Sequence, residues 1–332
     1  MTSVLIIGGG GMIGQKLALS FTENETVSLL DMNFPANSDV NAHKILGSVS
    51  DASIMEKALS NRPDTIFYLA SVVSGEAEAN FSKGWDVNIQ AFWSFLAQIK
   101  DQYSKSDGEY KPKVIFTSSI AVFGSPFPNK ISDDFLTAPR TSYGAQKACC
   151  ELMLNDFIRK GFCEGLAIRL PTICVRPGKP NLAASSFFSG IIREPLNGLT
   201  ANLPVSTDVR HWHASPRSAV KFLRHAARLN RDALTFNRDA LTFNSALNMP
   251  GLSCTVEEQI EALRKVAGNE RGGIHGAKRD GPVCLTDELH LMGALARFDI
   301  GRPAGASSKL GHLVGRGPDD QIMRDALSLF GS

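Results

Sequence analysis

Ser3-Val4-Leu5-Ile6-Ile7-Gly8-Gly9-Gly10-Gly11-Met12-Ile13-Gly14 reads as an apolar strand, a glycine turn and the opening of a helix. Glycine there permits the tight turn, lets backbone N–H groups approach a pyrophosphate, and allows helix and strand to pack closely, while the helix N-terminus favours negative charge. Two spacings fit, Gly9-x-Gly11-x-x-Gly14 and Gly8-x-x-Gly11-x-x-Gly14, and the glycines do not choose between them. Four glycines can also be a plain flexible turn. The strand before and the helix after point to a dinucleotide, with Gly8, Gly11, Met12, Ile13 and Gly14 as its cradle.

Outward from this turn, strand and helix signals alternate. Thr26–Leu30 and Lys44–Leu46 read as strands, Ala52–Ser60 as a helix and Thr65–Tyr68 as a strand. A long helix near Asn80–Ile99, a polar surface connection at 101–112, a strand Lys113–Thr117, a helix Ser142–Arg159 and a strand Gly165–Arg169 follow. Strands that are continuous apolar runs between helices belong to a parallel sheet covered on both faces. The expectation is a Rossmann-type, doubly wound α/β fold over 1–170. Beyond Pro171 proline and glycine break the rhythm, with helices near Pro216–Leu229 and Thr255–Ala267, so 171–332 is assigned to a smaller C-terminal lobe for the substrate.

Two features of that half stand apart. Arg231–Asn237 is repeated unchanged as Arg238–Asn244, a tandem heptad too short for a solenoid unit and expected to lie in a loop. From Gly268 the chain turns rich in Gly, Arg and His, and only Asp319–Phe330 again reads as a helix, so 268–332 is atypical.

Composition excludes several classes of partner. Lys and Arg total 35 against 33 Asp and Glu, so a formal charge of +2 gives no broad attraction for nucleic acid or an anionic membrane. The start carries no basic leader, and no apolar stretch approaches the ~18 residues of a membrane span, so the chain is expected in the cytoplasm. Six cysteines scattered without C-x-x-C spacing suit small core hydrophobes in a reducing compartment. His211 and His213 straddle Trp212 and share a strand face, yet no third ligand is evident, so no metal is expected.

Asp31 closes the second strand, where a carboxylate accepts hydrogen bonds from the adenosine ribose and repels a 2′-phosphate. Met32 and Asn33 after it bring no cation, so NAD is expected over NADP. Further on, Tyr143-Gly144-Ala145-Gln146-Lys147 follows Phe116-Thr117-Ser118-Ser119. Residues four apart share a helix face, so Lys147 can set its ammonium beside the Tyr143 phenol or on the cofactor ribose. A free phenol ionises near ~10, and bringing one near 7 takes ~4 kcal/mol, about what one cation at ~4 Å supplies at an effective dielectric of ~20. Tyr143 then suits a general base toward a substrate hydroxyl that Ser119 holds.

Together these residues resemble the extended short-chain dehydrogenase/reductase superfamily, which includes the sugar-nucleotide epimerases and dehydratases. The resemblance implies that Gly8, Gly11 and Gly14 hold the pyrophosphate, Asp31 the ribose, and that Ser119, Tyr143 and Lys147 form the catalytic triad. Tyr68-Leu69-Ala70-Ser71 and Val87-Asn88 match its patterns as well, which adds Ala70 and Asn88 to the cofactor residues; Ser48 stands where the superfamily usually has Asp. Relatives usually pair through the two long helices, which implies a homodimer.

The stretches Ala70–Glu78, Arg169–Asn181, Ala184–Leu196, Arg210–Pro216 and Asn248–Ser253 resemble the erythronate-oxidising branch of that superfamily. Its members oxidise the C2 hydroxyl of a four-carbon sugar acid with NAD. A carboxylate leaving water needs charge-assisted hydrogen bonds, so Arg176, Lys179, Arg193 and Arg210 are candidate anchors, with Ser74, Thr172 and Ser185 for the hydroxyls. Two other functions stay open: a sugar-nucleotide epimerase using the same triad, and a non-catalytic NAD-binding regulator, which has no need of a poised tyrosine.

Overall fold

The computed structural model describes residues 2–128, 130–176, 182–229 and 245–267. In chain order the elements are β1 (Thr2–Ile7), α1 (Met12–Ala18), β2 (Glu25–Asp31), β3 (His43–Leu46), α2 (Ala52–Leu59), β4 (Thr65–Tyr68), α3 (Ser74–Ala79), α4 (Phe81–Gly84), α5 (Ala91–Lys105) and β5 (Lys113–Ser119). They continue with α6 (Ser142–Arg159), β6 (Glu164–Leu170), β7 (Thr172–Ile173), α7 (Ser186–Leu196), β8 (Arg210–Ala214), α8 (Pro216–Arg228), β9 (Ala246–Asn248), β10 (Leu252–Thr255) and α9 (Val256–Ala267). The described residues of 1–126, 133–170 and 219–248 form one unit, and those of 127–132, 171–218 and 249–332 a second.

The first unit is the Rossmann-like half. Its seven strands run in the order β3-β2-β1-β4-β5-β6-β9, every neighbouring pair parallel. Four successive residues of β1, Val4–Ile7, are buried, as a strand covered on both faces requires. On one face Phe92, Phe95 and Leu96 of α5 and Cys150, Leu154 and Phe157 of α6 pack on Leu5, Ile7, Tyr68 and Phe116. Each fully buried aromatic ring is worth roughly 2 kcal/mol of apolar burial. The strand order reverses direction between β1 and β4, and at such a switch point the ends of the two strands diverge into a crevice. Leu69 and Ala70, just past β4, both donate to the Ile7 carbonyl, which sets the end of β4 against the glycine turn.

The expected long helix near Asn80–Ile99 is corrected in two ways. The chain is already helical from Ser74 and leaves helical geometry at Asn80 (φ −131°, ψ 85°), whose side chain then caps the next turn at Lys83 N–H. A π-helical turn, Trp85–Gln90, follows and carries Asn88. The helix also outlasts Ile99 and consumes the first part of the expected 101–112 connection. An Asp101–Lys105 ion pair one turn apart and the packing of Tyr103 on Phe162 carry it on to Lys105.

The second unit holds a three-stranded sheet in the order β10-β8-β7, in which β8 pairs antiparallel with β10 and parallel with β7. Phe188, Ile191 and Ile192 of α7 pack with Cys254, Val256, Ala262 and Leu263 from β10 and α9. The repeated heptad, Lys179 and everything from Gly268 on lie outside the described residues.

Candidate active site

The glycine turn shows by its crowding which positions forbid a side chain. Gly8 has φ +89°, and a Cβ there would stand 2.6 Å from Ala70 N, so neither the conformation nor the space admits another residue. A Cβ on Gly14 would run into the Gly8 carbonyl, and one on Gly10 into the Asn33 carbonyl. Gly11 is different. Its φ of −71° and ψ of 165° suit any residue, and a Cβ would meet only Gly8 O, at 3.4 Å. The chain therefore leaves open space above the backbone where α1 begins, next to the Met12 and Ile13 N–H groups. These residues fit a dinucleotide: the tight positions shape the turn and the open one admits a phosphate to the backbone. Asp31 stands beside them, its Oδ2 accepting the Gly10 N–H at 2.9 Å and its Oδ1 the Asn33 N–H at 3.3 Å.

Ser119, Tyr143 and Lys147 come from β5 and α6. β5 ends on Ser119, whose Oγ accepts the Ala121 N–H at 3.1 Å and so caps the short 3₁₀ turn Ile120–Val122. Thr141, two residues before Tyr143, caps α6 by accepting the Gly144 N–H at 3.1 Å. A Cβ on Gly144 would strike the Ala121 carbonyl, so the first turn of α6 lies directly against the segment after Ser119. Lys147 is only 3% exposed. Its Nζ donates to the Thr117 carbonyl at 2.8 Å and lies 4.6 Å from the Phe116 ring centroid and 5.7 Å from that of Tyr143. Burial of an ammonium is costly unless it is hydrogen-bonded and faces electron-rich groups, and the Thr117 carbonyl and two aromatic rings supply that.

Asn88 turns its side chain to the protein. Its Oδ1 accepts the Val72 N–H at 2.8 Å and the Ser71 hydroxyl at 3.2 Å, while its Nδ2 donates to Val72 O at 3.1 Å and Gln146 Oε1 at 2.7 Å. It thereby pins the loop after β4, which holds Ala70, to the residue before Lys147. Ser74 opens α3 and is half-buried.

With this geometry in hand, the comparisons are specific. The sequence profile of the NAD dependent epimerase/dehydratase family matches residues 4–231. The chain belongs to that family. It is 42% identical over 280 residues to the D-erythronate dehydrogenase of Cupriavidus necator (80% of this chain, 82% of that one). To the D-erythronate dehydrogenase of Haemophilus influenzae it is 38% identical over 274 residues, again 80% of this chain and 82% of that one. A crystal structure described as the nucleoside-diphosphate-sugar epimerase from Agrobacterium tumefaciens is 47% identical, with a TM-score of 0.73, covering 85% of this chain and 82% of that one. Membership of this family gives NAD as the protein's cofactor, and the similarity to the two dehydrogenases makes it an NAD-dependent dehydrogenase.

The sequence-derived substrate candidates past residue 170 fall in the second unit, apart from Lys179. Thr172 Oγ1 shares a hydrogen bond of 2.7 Å with His211 Nε2. Arg176 donates from Nε to Ile173 O at 3.1 Å, and its own carbonyl accepts from Arg193, which is also paired with Glu194. Ser185 precedes the first turn of α7, and Arg210 is held by Ser253 O at 3.2 Å and Glu258 at 3.4 Å. Sequence reasoning missed His211 as the partner of Thr172, Thr117 as that of Lys147, and the buried pair Glu151–Arg169. The last had a signal: a lone arginine inside an apolar strand demands a buried partner. Among the described residues no group of three or more His, Cys, Asp or Glu could hold a metal ion, and no helix is long and apolar enough to cross a membrane.

His211 and His213 carry a pH consequence. Phe188 stacks on His211 at 4.5 Å, and burial drives His211 down to about 4 and, with His211 nearby, His213 to about 3. Both rings are thus neutral in the folded chain, while unfolded histidines bind protons from near pH 6.5 downward. Below that pH the unfolded state holds more protons, so stability is complete above pH 6.5 and falls as the pH drops toward the folded values. Each ring removes up to about 1.4 kcal/mol per pH unit within its window. Thermal melts should show Tm falling between pH 7 and 5, where carboxylates stay ionised, and His213→Asn should flatten the slope; a Tm indifferent to pH would refute this.

Proposed function

We propose that the protein oxidises the C2 hydroxyl of a short sugar acid, D-erythronate, to 2-oxo-D-erythronate. The observation that carries the reading is Lys147, buried beside the Tyr143 ring on α6 and set against the end of the strand that delivers Ser119. Tyr143 Oη accepts the proton of the C2 hydroxyl while Ser119 Oγ holds that hydroxyl in place. Bound NAD supplies the acceptor for the hydride that leaves the same carbon, so C2 ends as a carbonyl. Lys147 serves the phenol and the nicotinamide ribose together. Gly8, Gly11, Met12, Ile13 and Gly14 hold the pyrophosphate and Asp31 the adenosine ribose, with Ala70 and Asn88 as further cofactor residues. Residues 1–170 carry this machinery, and 171–332 mainly the recognition of substrate, through Thr172, Arg176, Lys179, Ser185 and Arg210, with Ser74 from the first half. Support for the sugar acid comes from the two relatives named for it.

The decisive assay supplies NAD with D-erythronate, other short aldonates or UDP-sugars and follows NADH. Sugar acids alone should produce it, with NAD preferred over NADP by about 100-fold in kcat/KM, because Asp31 repels a 2′-phosphate. A second reading, nucleotide-sugar epimerase, draws on the name of the 47% identical structure. It predicts conversion of UDP-sugars with no net NADH, and that outcome would displace the dehydrogenation of sugar acids. We also propose a homodimer: Trp93 on α5 and Leu152 on α6 are 54% and 71% exposed, a high cost in water for residues on the two long helices. Light scattering behind a sizing column should give twice the chain mass, and Leu152→Glu should halve it.

A further inference from the structure

Arg169 is the bulkiest fully buried side chain of the described residues and the only charged residue in the buried run 165–169 of β6. Its guanidinium grips a single carboxylate with two prongs, Nε to Glu151 Oε1 at 3.0 Å and Nη2 to Glu151 Oε2 at 2.8 Å, and spends Nη1 on the Asp133 carbonyl at 2.9 Å. Glu151 Oε1 also accepts the Ser118 hydroxyl at 2.5 Å, so both carboxylate oxygens are committed. Glu151 lies four residues after Lys147, one turn along the same face of α6. Opposite charges at that spacing attract, and in a buried site the attraction is little screened. Yet Lys147 donates to Thr117 O, one residue before Ser118, and has no carboxylate partner among the described residues.

We propose that Arg169 is a positioning residue for Lys147: by holding both oxygens of Glu151 it keeps that carboxylate off the lysine. The ammonium then stays aimed at the Tyr143 ring and at bound nucleotide with its charge undiminished. This rests on Tyr143 being the base. Among the described residues, the titratable groups around the pair include Tyr143 and Cys150 on α6, Tyr68 on β4, and Asp133. On segments packed against α6, Glu78 accepts the Ser142 N–H at 2.9 Å, and Lys83 and Asp86 are exposed.

The test is the pH profile of sugar-acid oxidation by the NAD-loaded enzyme, with kcat referred to folded protein. Arg169→Met should free Glu151 to pair with Lys147, lower kcat at neutral pH at least ~10-fold, and move the acid limb of the profile up by about one pH unit or more. Adding Glu151→Gln to that variant removes the competing charge and should return both kcat and the limb most of the way. Glu151→Gln alone should leave the limb in place. A purely structural ion pair predicts lower stability and no movement of the limb, and that result overturns the proposal. Should Arg169→Met not fold, Arg169→Lys carries the same test, because a single ammonium cannot grip both oxygens. The limb should then move less but in the same direction, and an unmoved limb in folded Arg169→Lys is equally fatal. The two failures separate cleanly: an active Tyr143→Phe removes the base itself, whereas an inactive one with wild-type-like Arg169 variants removes only the role of Arg169.

Discussion

Tyr143→Phe is expected to lower kcat for sugar-acid oxidation about 10³-fold while leaving the dissociation constant for NAD within about threefold of wild type. The substitution removes one oxygen and keeps the ring, so the face presented to Lys147 Nζ, 5.7 Å from its centroid, is retained. What disappears is the proton acceptor, and a positioned general base contributes about 10²- to 10⁴-fold. The cofactor's phosphates and adenosine ribose are held elsewhere, at the glycine turn and Asp31, which is why binding should survive. Lys147→Met should behave differently: kcat falls and NAD binds more weakly, because the same ammonium serves phenol and ribose. Steady-state kinetics with titration of NAD by intrinsic fluorescence separates the two. If Tyr143→Phe keeps more than a tenth of wild-type turnover, the proton goes elsewhere and the triad reading is wrong.

The parallel sheet was legible because β1, β4 and β5 are apolar runs, each separated from the next strand by a helix of recognisable period. What escaped was decided by contacts distant in sequence. β9 is a three-residue strand, Ala246-Leu247-Asn248, too short to show a period, and it exists because it pairs with β6. α7 contains Pro195, which lacks the N–H that would bond Ile191 O, and the helix ends one residue later at Leu196, so only its last turn is weakened. The expected long helix breaks at Asn80, whose side chain caps the next turn at Lys83 N–H, and takes π geometry over Trp85–Gln90, where Asn88 bonds across to Val72 and Gln146. In the candidate site, Tyr143 and Lys147 announce themselves by a spacing of four. Thr117 does not, because it acts through its main-chain carbonyl, which every residue possesses. His211 meets Thr172 39 positions away, a distance no local pattern spans.

Gly11→Ala and Gly14→Ala should part company, although both replace a glycine of the same turn by the smallest side chain. At Gly14 the new methyl would collide with the Gly8 carbonyl and approach the Gly9 backbone to 2.8 Å, contacts that only a shift of main chain relieves. That variant should lose about 1–3 kcal/mol of stability before any ligand is added, with NAD binding lost as a consequence of the deformed turn. At Gly11 the backbone already has angles alanine prefers and the methyl meets only one atom, at 3.4 Å. The ligand-free Tm should therefore stay within a degree or two of wild type, since the entropy alanine removes from the unfolded chain roughly offsets its poorer fit at a helix N-cap. The methyl would instead stand where a pyrophosphate has to touch the backbone, so NAD affinity should drop at least ~10-fold and the Tm rise on adding NAD should shrink accordingly. Melting curves with and without NAD decide it. A Gly11→Ala protein that binds NAD as tightly as wild type would mean that the open space at the start of α1 is not where the phosphates lie, and the glycine would then need another explanation than a ligand.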